Sequence, residues 1–228
     1  YLGDYALEQN FAFQAGPDTG KRVAIVGGGP AGLSAAYQLR RKGHAVTLFD
    51  DHAELGGMAK YGVPGYRLPR KHLDGEINRI IAMGVEVRAN TRIGTDVSLN
   101  DLESGFDAVL LAIGCKAGLS LPVPGADAPN CISGVAFLEA FNQGRLKSVA
   151  GRVVVVGGGD TSVDVVSVAR RLGYVKDLKE TERPEAVVLG HTAHDVSAMA
   201  ARQGADVVLI SMQPIEQMNA AKHEIEDA

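Results

Sequence analysis

Glycines recur at a fixed spacing in two short stretches of the sequence, VAIVGGGPAGL at 23–33 and VVVVGGGDTSV at 153–163. In the first stretch Gly27, Gly29 and Gly32 stand between an apolar run and a segment of helical character. Gly27 permits a tight turn, Gly29 lets backbone N–H groups approach a pyrophosphate, and Gly32 allows the helix to pack closely on the strand. The N-terminal end of the helix then faces the phosphates with its positive dipole. The pattern predicts a dinucleotide-binding turn.

A carboxylate follows the first turn at the distance typical of such sites. Asp50 lies 18 residues after Gly32, at the end of the apolar stretch HAVTLFD, where its oxygens can accept hydrogen bonds from ribose hydroxyls. Asp51 is adjacent, but the expected end of the strand favours the earlier residue. We therefore predict Asp50 as the ribose partner.

The second turn keeps the two glycines that phosphates need, Gly157 and Gly159, and has Ser162 in place of a third. Serine at that position still permits packing, although less tightly than glycine. Asp164 lies one helical turn further on, and two interpretations stay open for it: a ligand for the bound molecule, or a charge that complements the positive end of the helix. Two such turns predict two dinucleotides on one chain.

The composition excludes several classes of function. The 228 residues carry a net charge of −4 with a pI near 5.9 and no basic stripe interleaved with aromatic residues, so nucleic acid is not an expected partner. The apolar runs are far shorter than the roughly 20 residues of a membrane span, and no signal peptide is visible. Cys115 and Cys131 form no CxxC and no histidine cluster, so we expect no metal site, no redox disulfide and a cytoplasmic location with reduced thiols.

Strand and helix patterns alternate along the chain, which predicts an α/β fold with mostly parallel sheets covered by helices. We predict strands at 22–27, 45–50, 85–88, 107–113, 152–157, 186–190 and 206–210, and helices at 30–42, 71–83, 134–143, 161–172 and 192–203. The second of these helices has one apolar stripe, formed by Leu73, Ile77, Ile80 and Ile81. The proline-rich stretch at 119–130 is predicted to connect two units.

Four stretches of the sequence resemble the small (beta) subunit of glutamate synthase and its relatives, which include the electron-input part of dihydropyrimidine dehydrogenase. They are VAIVGGGPAGLSAAYQL, ELGGMAKYGVPGYRLPR, FDAVLLAIGC and VVVVGGGDTSVD. These relatives are NAD(P)H-dependent FAD oxidoreductases similar to the pyridine nucleotide-disulfide oxidoreductases but without a redox disulfide. The resemblance implies two Rossmann-like three-layer domains, the second inserted in the first.

The resemblance also implies a domain organisation. Residues 1–20 are expected to be the tail of an upstream helical region, 21–118 the N-terminal part of an FAD-binding domain, and 119–228 an incomplete NAD(P)H-binding domain. The second domain has an insertion at about 174–204 relative to the family. The chain ends before the glycine-and-aspartate segment that closes the FAD domain in the family, so we expect it to be a fragment of a longer polypeptide.

Cofactor-binding roles follow from the resemblance residue by residue. Contacts to FAD are implied for Gly27, Gly28, Gly29, Pro30, Ala31, Gly32, Asp50, Gly56, Gly57, Met58 and Arg67. Contacts to the nicotinamide dinucleotide are implied for Gly158, Gly159, Asp160 and Thr161. Competing interpretations make Arg67 a solvated surface charge and Tyr61, Pro64 and Pro69 residues that only shape their loop.

The two cofactors imply a function for the chain. Hydride would pass from NAD(P)H to FAD, and electrons would continue to an iron–sulfur or partner-subunit acceptor, with no catalytic acid–base dyad among the side chains. In the family, the cysteines that bind iron–sulfur clusters lie upstream of the region that this sequence covers. A non-catalytic dinucleotide-binding or assembly module of a larger complex is the alternative.

The choice of nicotinamide nucleotide depends on the residues after the last predicted strand. The family commonly has a basic pair there that holds the 2′-phosphate of NADP, whereas this chain has Met212 and Gln213. Neutral side chains remove the preference for the extra negative charge, which slightly favours NADH over NADPH. Ser211 is not the acid that NAD sites often carry, and Lys222 is available to compensate, so both nucleotides stay open.

Overall fold

The contacts of the computed structural model divide the chain into two compact units. The described residues are 2–176, 179–189, 204–222 and 225. We call Tyr1–Lys60 with Gly65–Cys115 the N-terminal unit, and Tyr61–Pro64 with Lys116–Ala228 the C-terminal unit. The helix predicted at 192–203 lies outside the described residues. Within the part that is described, no helix is both long and apolar enough to cross a membrane.

Four parallel strands form the sheet of the N-terminal unit, in the order β3-β2-β1-β4. They are β1 (Arg22–Val26), β2 (Ala45–Phe49), β3 (Val85–Arg88) and β4 (Ala108–Leu111). The helices are α1 (Leu2–Glu8), α2 (Pro30–Arg41), α3 (Met58–Tyr61), α4 (Arg70–Ile81) and α5 (Leu99–Gly105), and only the last residue of α3 is assigned to the C-terminal unit. Parallel neighbours require crossover connections, which the helices supply. The structure confirms the predicted strands and the predicted helices α2 and α4 to within two residues at each end.

The predicted apolar stripe of α4 packs against this sheet. Ile77 is buried in a core that includes Ile25 of β1, and Leu73, Ile80 and Ile81 pack partly buried around it. Full burial of an aliphatic side chain of this size contributes about 1.5–3 kcal/mol. The stripe therefore makes α4 a firm support for the segments that contact it.

In the described part of the C-terminal unit, β5 (Arg152–Val156) pairs in parallel with β6 (Asp206–Ile210), and the helices include α6 (Gly134–Asn142) and α7 (Asp160–Leu172). Phe137, Val155 and Val168, one from each of α6, β5 and α7, belong to a single buried cluster. All four elements were predicted from the sequence and are confirmed to within two residues. Together with the first sheet they confirm the α/β class.

One predicted strand is wrong. The segment predicted as a strand at 186–190 contains instead a short helix, α8 (Pro184–Val188). Pro184 occupies the first helical position, where its fixed φ suits a helix and its missing N–H costs nothing. Val187 and Val188 are buried in the core of the C-terminal unit, so packing overrides the strand preference of a valine pair.

Asp107 ties the start of β4 to the start of β1, and we expect this contact to be sensitive to acid. Its two oxygens accept hydrogen bonds from the backbone N–H of Arg22 and from Nζ of Lys21, both at 2.8 Å. These bonds lower the pKa of Asp107, the Arg22 bond most. A carboxyl group whose pKa is lower in the folded than in the unfolded chain stabilises the fold. This stabilisation is complete above the pKa of the unfolded chain and is lost as the pH falls through the pKa of the folded chain.

The expected result is that the urea midpoint of the chain falls more steeply below about pH 4 than that of Asp107→Asn. Unfolding followed by circular dichroism between pH 3 and 7 measures this difference. Parallel pH profiles for the two proteins would contradict it.

Candidate functional site

The glycines of the first turn divide into those that the fold requires and one, Gly29, at which a Cβ would cause no clash. A Cβ at Gly27 would overlap the carbonyl oxygen of Ala112, and one at Gly32 would overlap the carbonyl oxygen of Gly27. At Gly29 the nearest atom to a Cβ would be the Cα of Gly57 at 3.6 Å, an ordinary van der Waals distance. Gly29 is also the N-cap of α2, so this position lies at the positive end of a helix.

The second turn repeats this arrangement. A Cβ at Gly157 would overlap Oγ of Ser162, which stands in the place of the third glycine, and a Cβ at Gly158 would lie 2.6 Å from Oγ of Ser211. Apart from its chain neighbours and its own helix, no heavy atom of the described residues lies within 4 Å of the Cβ position of Gly159. Gly159 is the N-cap of α7. In both turns, therefore, the glycine predicted to face a pyrophosphate is one that local packing does not require.

Asp50 is fixed to the first turn by its own carboxylate. The side chain is buried, one oxygen accepts a hydrogen bond from the N–H of Gly28 at 2.6 Å, and the other accepts one from the N–H of His52 at 2.8 Å. Asp51 is a third exposed and contacts the His52 ring, with 2.9 Å between Oδ1 and Nδ1. Of the two neighbouring acids, Asp50 is the one that the structure brings to the glycine turn.

Asp50, Asp51 and His52 each carry an atom of a kind that can bind a metal ion. These three atoms lie within 4.8 Å of one another. The ring nitrogen Nδ1 of His52 lies 3.2 Å from Asp50 and 2.9 Å from Asp51. Hydrogen bonding between an imidazole and two carboxylates accounts for this closeness without an ion. The cluster therefore orients the buried carboxylate beside the turn.

The predicted Gly56 and Gly57 lie directly against the first turn. The N–H of Gly56 donates to the carbonyl oxygen of Gly28 at 2.8 Å. Gly57 has a φ of +52°, and a Cβ there would lie 2.7 Å from the Cα of Gly29. Both the backbone conformation and the close approach therefore require glycine at position 57. Two segments that are 28 residues apart form one backbone-lined surface.

The remaining predicted contacts of the N-terminal unit lie at the starts of helices and in one turn. Pro30 and Ala31 begin α2 and are exposed, and Met58 begins α3 and is partly buried. Arg67 is exposed in the turn that precedes α4. The assignment of all these residues to a cofactor stays a prediction.

In the C-terminal unit Asp160 and Thr161 are the first two residues of α7, and both are exposed. Oδ1 of Asp160 accepts a hydrogen bond from the N–H of Ala221 at 3.3 Å, and the N–H of Ala220 donates to the carbonyl oxygen of Gly158 at 3.2 Å. The segment after β6 thus returns to the second turn, which the sequence does not indicate. Asp164 is buried in the second turn of α7, within the helix rather than at its open end.

The residues predicted to face the nucleotide's 2′-position follow β6 directly. Met212 is 97% exposed, and Oγ of Ser211 accepts a hydrogen bond from the N–H of Gln213 at 3.1 Å. Lys222 is exposed. Ligands of open α/β sheets bind beyond the carboxyl ends of the strands, which is where these side chains lie.

Two residues that support the first turn were missed in the sequence. Leu55 is buried, and its Cδ2 lies 2.5 Å from the Cβ position of Gly28, so it forms the floor under that glycine. His52 holds Asp50 through both its N–H and its ring. The apolar residue type directly before Gly56 was a usable sequence signal for Leu55, but nothing in the spacing indicates His52.

Comparison with known proteins places the chain in a family. Residues 21–228 match the family described as pyridine nucleotide-disulphide oxidoreductase. The chain is 48% identical over 158 residues to NADP(+)-dependent formate dehydrogenase subunit beta of Moorella thermoacetica, covering 68% of this chain and 22% of that protein. It is 36% identical over 170 residues to the glutamate synthase [NADPH] small chain of Mycobacterium tuberculosis, covering 69% and 35%.

A third relative is the NAD-dependent dihydropyrimidine dehydrogenase subunit PreT of Salmonella typhimurium, 38% identical over 163 residues and covering 71% of this chain and 39% of that protein. The chain thus spans well under half the length of these relatives. Among solved structures, Mycobacterium tuberculosis FprA in complex with NADPH has the same fold, with a TM-score of 0.68, 22% identity, and coverage of 91% of this chain and 46% of that one. The resemblance to glutamate synthase small subunits is confirmed, and the chain belongs to the pyridine nucleotide-disulphide oxidoreductase family.

Proposed function

We propose that this chain is the electron-input part of a flavoprotein oxidoreductase, in which hydride passes from NAD(P)H to FAD and electrons continue to an iron–sulfur or partner-subunit acceptor. One observation carries the proposal: at the helix N-caps Gly29 and Gly159 a Cβ would meet no clash, whereas at the glycines beside them it would overlap or crowd the protein. A turn that only had to fold would not need glycine at these two positions. The family match supports the same conclusion.

In this proposal the N-terminal unit holds FAD. The backbone N–H groups of Gly28 and Gly29 and the dipole of α2 face the pyrophosphate, and the buried carboxylate of Asp50 accepts ribose hydroxyls. Gly56, Gly57 and Met58 line the neighbouring surface, with Arg67 on the exposed turn. FAD, when bound, accepts hydride and releases electrons one at a time, so the protein supplies binding and orientation rather than an acid–base pair.

The C-terminal unit would bind the nicotinamide nucleotide. Gly158 and Gly159 present the backbone to its pyrophosphate, and Thr161 adds a hydroxyl in the first turn of α7. Asp160 carries a negative charge at the same helix end, where the helix dipole favours it. Its bond to the N–H of Ala221 turns one carboxylate oxygen towards the returning segment.

A partner that accepts the electrons is part of the proposal. The names of two relatives, a subunit beta and a small chain, describe parts of larger assemblies. We propose a similar place for this chain, with its acceptor on another domain or subunit. Exposed and reduced Cys115 and Cys131 suit a cytoplasmic location.

Anaerobic spectroscopy tests the proposal. The chain is mixed with FAD, freed of unbound flavin by gel filtration, and titrated with NADH or NADPH. The expected result is bound flavin whose visible absorbance is bleached by a nicotinamide nucleotide. A colourless protein contradicts the proposal, and bound flavin that neither nucleotide bleaches supports the alternative of a non-catalytic binding or assembly module.

The neutral residues after β6 lead to a prediction about nucleotide preference. We propose that NADH is favoured, because a 2′-phosphate normally requires Arg or Lys and this chain presents Ser211, Met212 and Gln213. The names of the relatives include both NADP(+) or NADPH and NAD, so they leave the choice open. The double substitution Met212→Arg with Gln213→Arg is expected to raise kcat/KM for NADPH about tenfold and to change that for NADH little.

Stopped-flow flavin reduction with each nucleotide measures these values. Lys222→Met in the otherwise native chain tests whether that lysine compensates for the missing basic pair. A native chain that prefers NADPH, with the preference lost in Lys222→Met, would show that Lys222 supplies the charge and that the NADH assignment is wrong.

A further inference from the structure

An ion-pair cluster around one largely buried lysine lies beside the glycine surface of the N-terminal unit, and the proposed function does not use it. Nζ of Lys60 lies 2.8 Å from Oδ1 of Asp74 and 2.9 Å from Oε2 of Glu54. The lysine side chain is only 13% exposed, whereas those of its two partners are 42% and 64% exposed. Lysines are rarely buried to this degree without a structural reason.

The position of Lys60 gives that reason. It belongs to α3, the short helix that starts directly after Gly57, and its own N–H donates to the carbonyl oxygen of Gly57 at 3.0 Å. Its Cβ lies 2.8 Å from where a Cβ of Gly56 would be, so the lysine stem packs directly on that glycine. One end of the side chain therefore packs on Gly56, and the other end reaches α4 through Asp74.

A second polar contact joins the same two helices. Nη1 of Arg70, the first residue of α4, donates to the carbonyl oxygen of Ala59 in α3 at 3.0 Å. Because α4 is itself packed on the sheet by Ile77 and its neighbours, these contacts fix α3 to a rigid element. A four-residue helix has too few internal hydrogen bonds to hold its place alone.

We infer that Lys60 is a positioning residue for FAD: by holding α3 on α4 it keeps Gly57 against Gly29, and so preserves the surface that receives the cofactor. The inference rests on the proposed function, because it needs FAD at this turn. Lys60 itself does not have to touch the cofactor. A loop held in its binding conformation before the ligand arrives loses less entropy on binding, which appears as affinity.

The charge state of Lys60 is consistent with this role. Burial lowers the pKa of Lys60, but hydrogen bonds and charge from Asp74 and Glu54 outweigh the burial, so the pKa is above its ordinary value. The ammonium group therefore keeps its proton, and both bonds, throughout the neutral range.

The test compares FAD affinities by fluorescence titration of the FAD-free chain. Lys60→Met keeps the apolar stem and removes the charge, and it is expected to weaken FAD binding about tenfold. Lys60→Arg should restore most of the affinity because it can reach the same carboxylates. Lys21→Met is the matched control: it removes another lysine–aspartate pair of the same unit, Lys21 with Asp107, and should change FAD affinity less than about twofold.

A double-mutant cycle tests whether Lys60 acts through α4. Asp74→Asn alone is expected to weaken FAD binding, and adding it to Lys60→Met should cost little more, because the contact is already lost. Visible circular dichroism of bound flavin reports the cofactor's environment, and should change in Lys60→Met but not in Lys21→Met. If Lys60→Met does not fold, Asp74→Asn and Lys60→Arg carry the test.

Equal FAD affinity in Lys60→Met and the native chain would overturn the inference, as would additive losses in the cycle or failure of Lys60→Arg to recover affinity. A native chain that binds no FAD would instead overturn the proposed function. The two failures are therefore distinguishable.

Discussion

Replacing Gly159 with valine is expected to lower kcat/KM for flavin reduction by NAD(P)H at least about 100-fold while FAD binding stays intact, since a misplacement of about 1 Å costs that much. The added side chain points into the space that the proposal assigns to the pyrophosphate, where no heavy atom of the described residues beyond the local chain lies within 4 Å. The backbone at Gly159 has φ −104° and ψ 174°, an extended conformation that valine adopts readily. Stopped-flow reduction with NADH and NADPH measures the loss.

The folding cost of Gly159→Val should be small. Loss of a favourable N-cap residue costs about 1 kcal/mol, which thermal unfolding detects without obscuring the kinetic effect. Gly204→Val is the matched control, because Gly204 lies in the same unit and its Cβ position also has no neighbour within 4 Å among the described residues. Undiminished flavin reduction in Gly159→Val would show that the nucleotide does not bind at this turn.

Replacing Asp50 with asparagine is expected to weaken FAD binding between about 10- and 100-fold, since hydrogen bonds to charged groups contribute about 1.5–3 kcal/mol each. Both carboxylate oxygens accept hydrogen bonds, from Gly28 and from His52. An amide has only one acceptor, so its NH2 group must face one of these two donors. The site is buried, and water cannot compensate for the mismatch.

Asp51→Asn separates this effect from a general loss of negative charge. Its side chain is a third exposed and contacts the His52 ring, so the change should alter FAD affinity less than about twofold and stability by less than about 0.5 kcal/mol. Fluorescence titration and urea unfolding of the two variants measure both quantities. Equal losses in Asp50→Asn and Asp51→Asn would contradict the assignment of Asp50 as the ribose partner.

Short helices were the elements that sequence reasoning missed or misassigned. The helix α5 is preceded by Ser98, whose side chain and that of Asp101 form reciprocal hydrogen bonds with the backbone, a capping pattern that the sequence SLND displays. The helix α3 has no such signal, because it consists of four residues between a glycine pair and a turn. In α8 the strand preference of two valines yields to burial, which only the packed chain decides.

The sequence by itself determined the α/β class, most strands and helices, and both glycine turns, because these depend on local periodicity and on spacing within about 30 residues. It also favoured Asp50 over Asp51 through the end of a single strand. Tertiary structure alone decided at which glycines a Cβ would clash with the protein, because that depends on atoms such as the Ala112 carbonyl oxygen, which is distant in sequence. The contact of Gly57 with Gly29 and the link from Lys60 to Asp74 likewise join separate segments, and no local pattern encodes a distance between them.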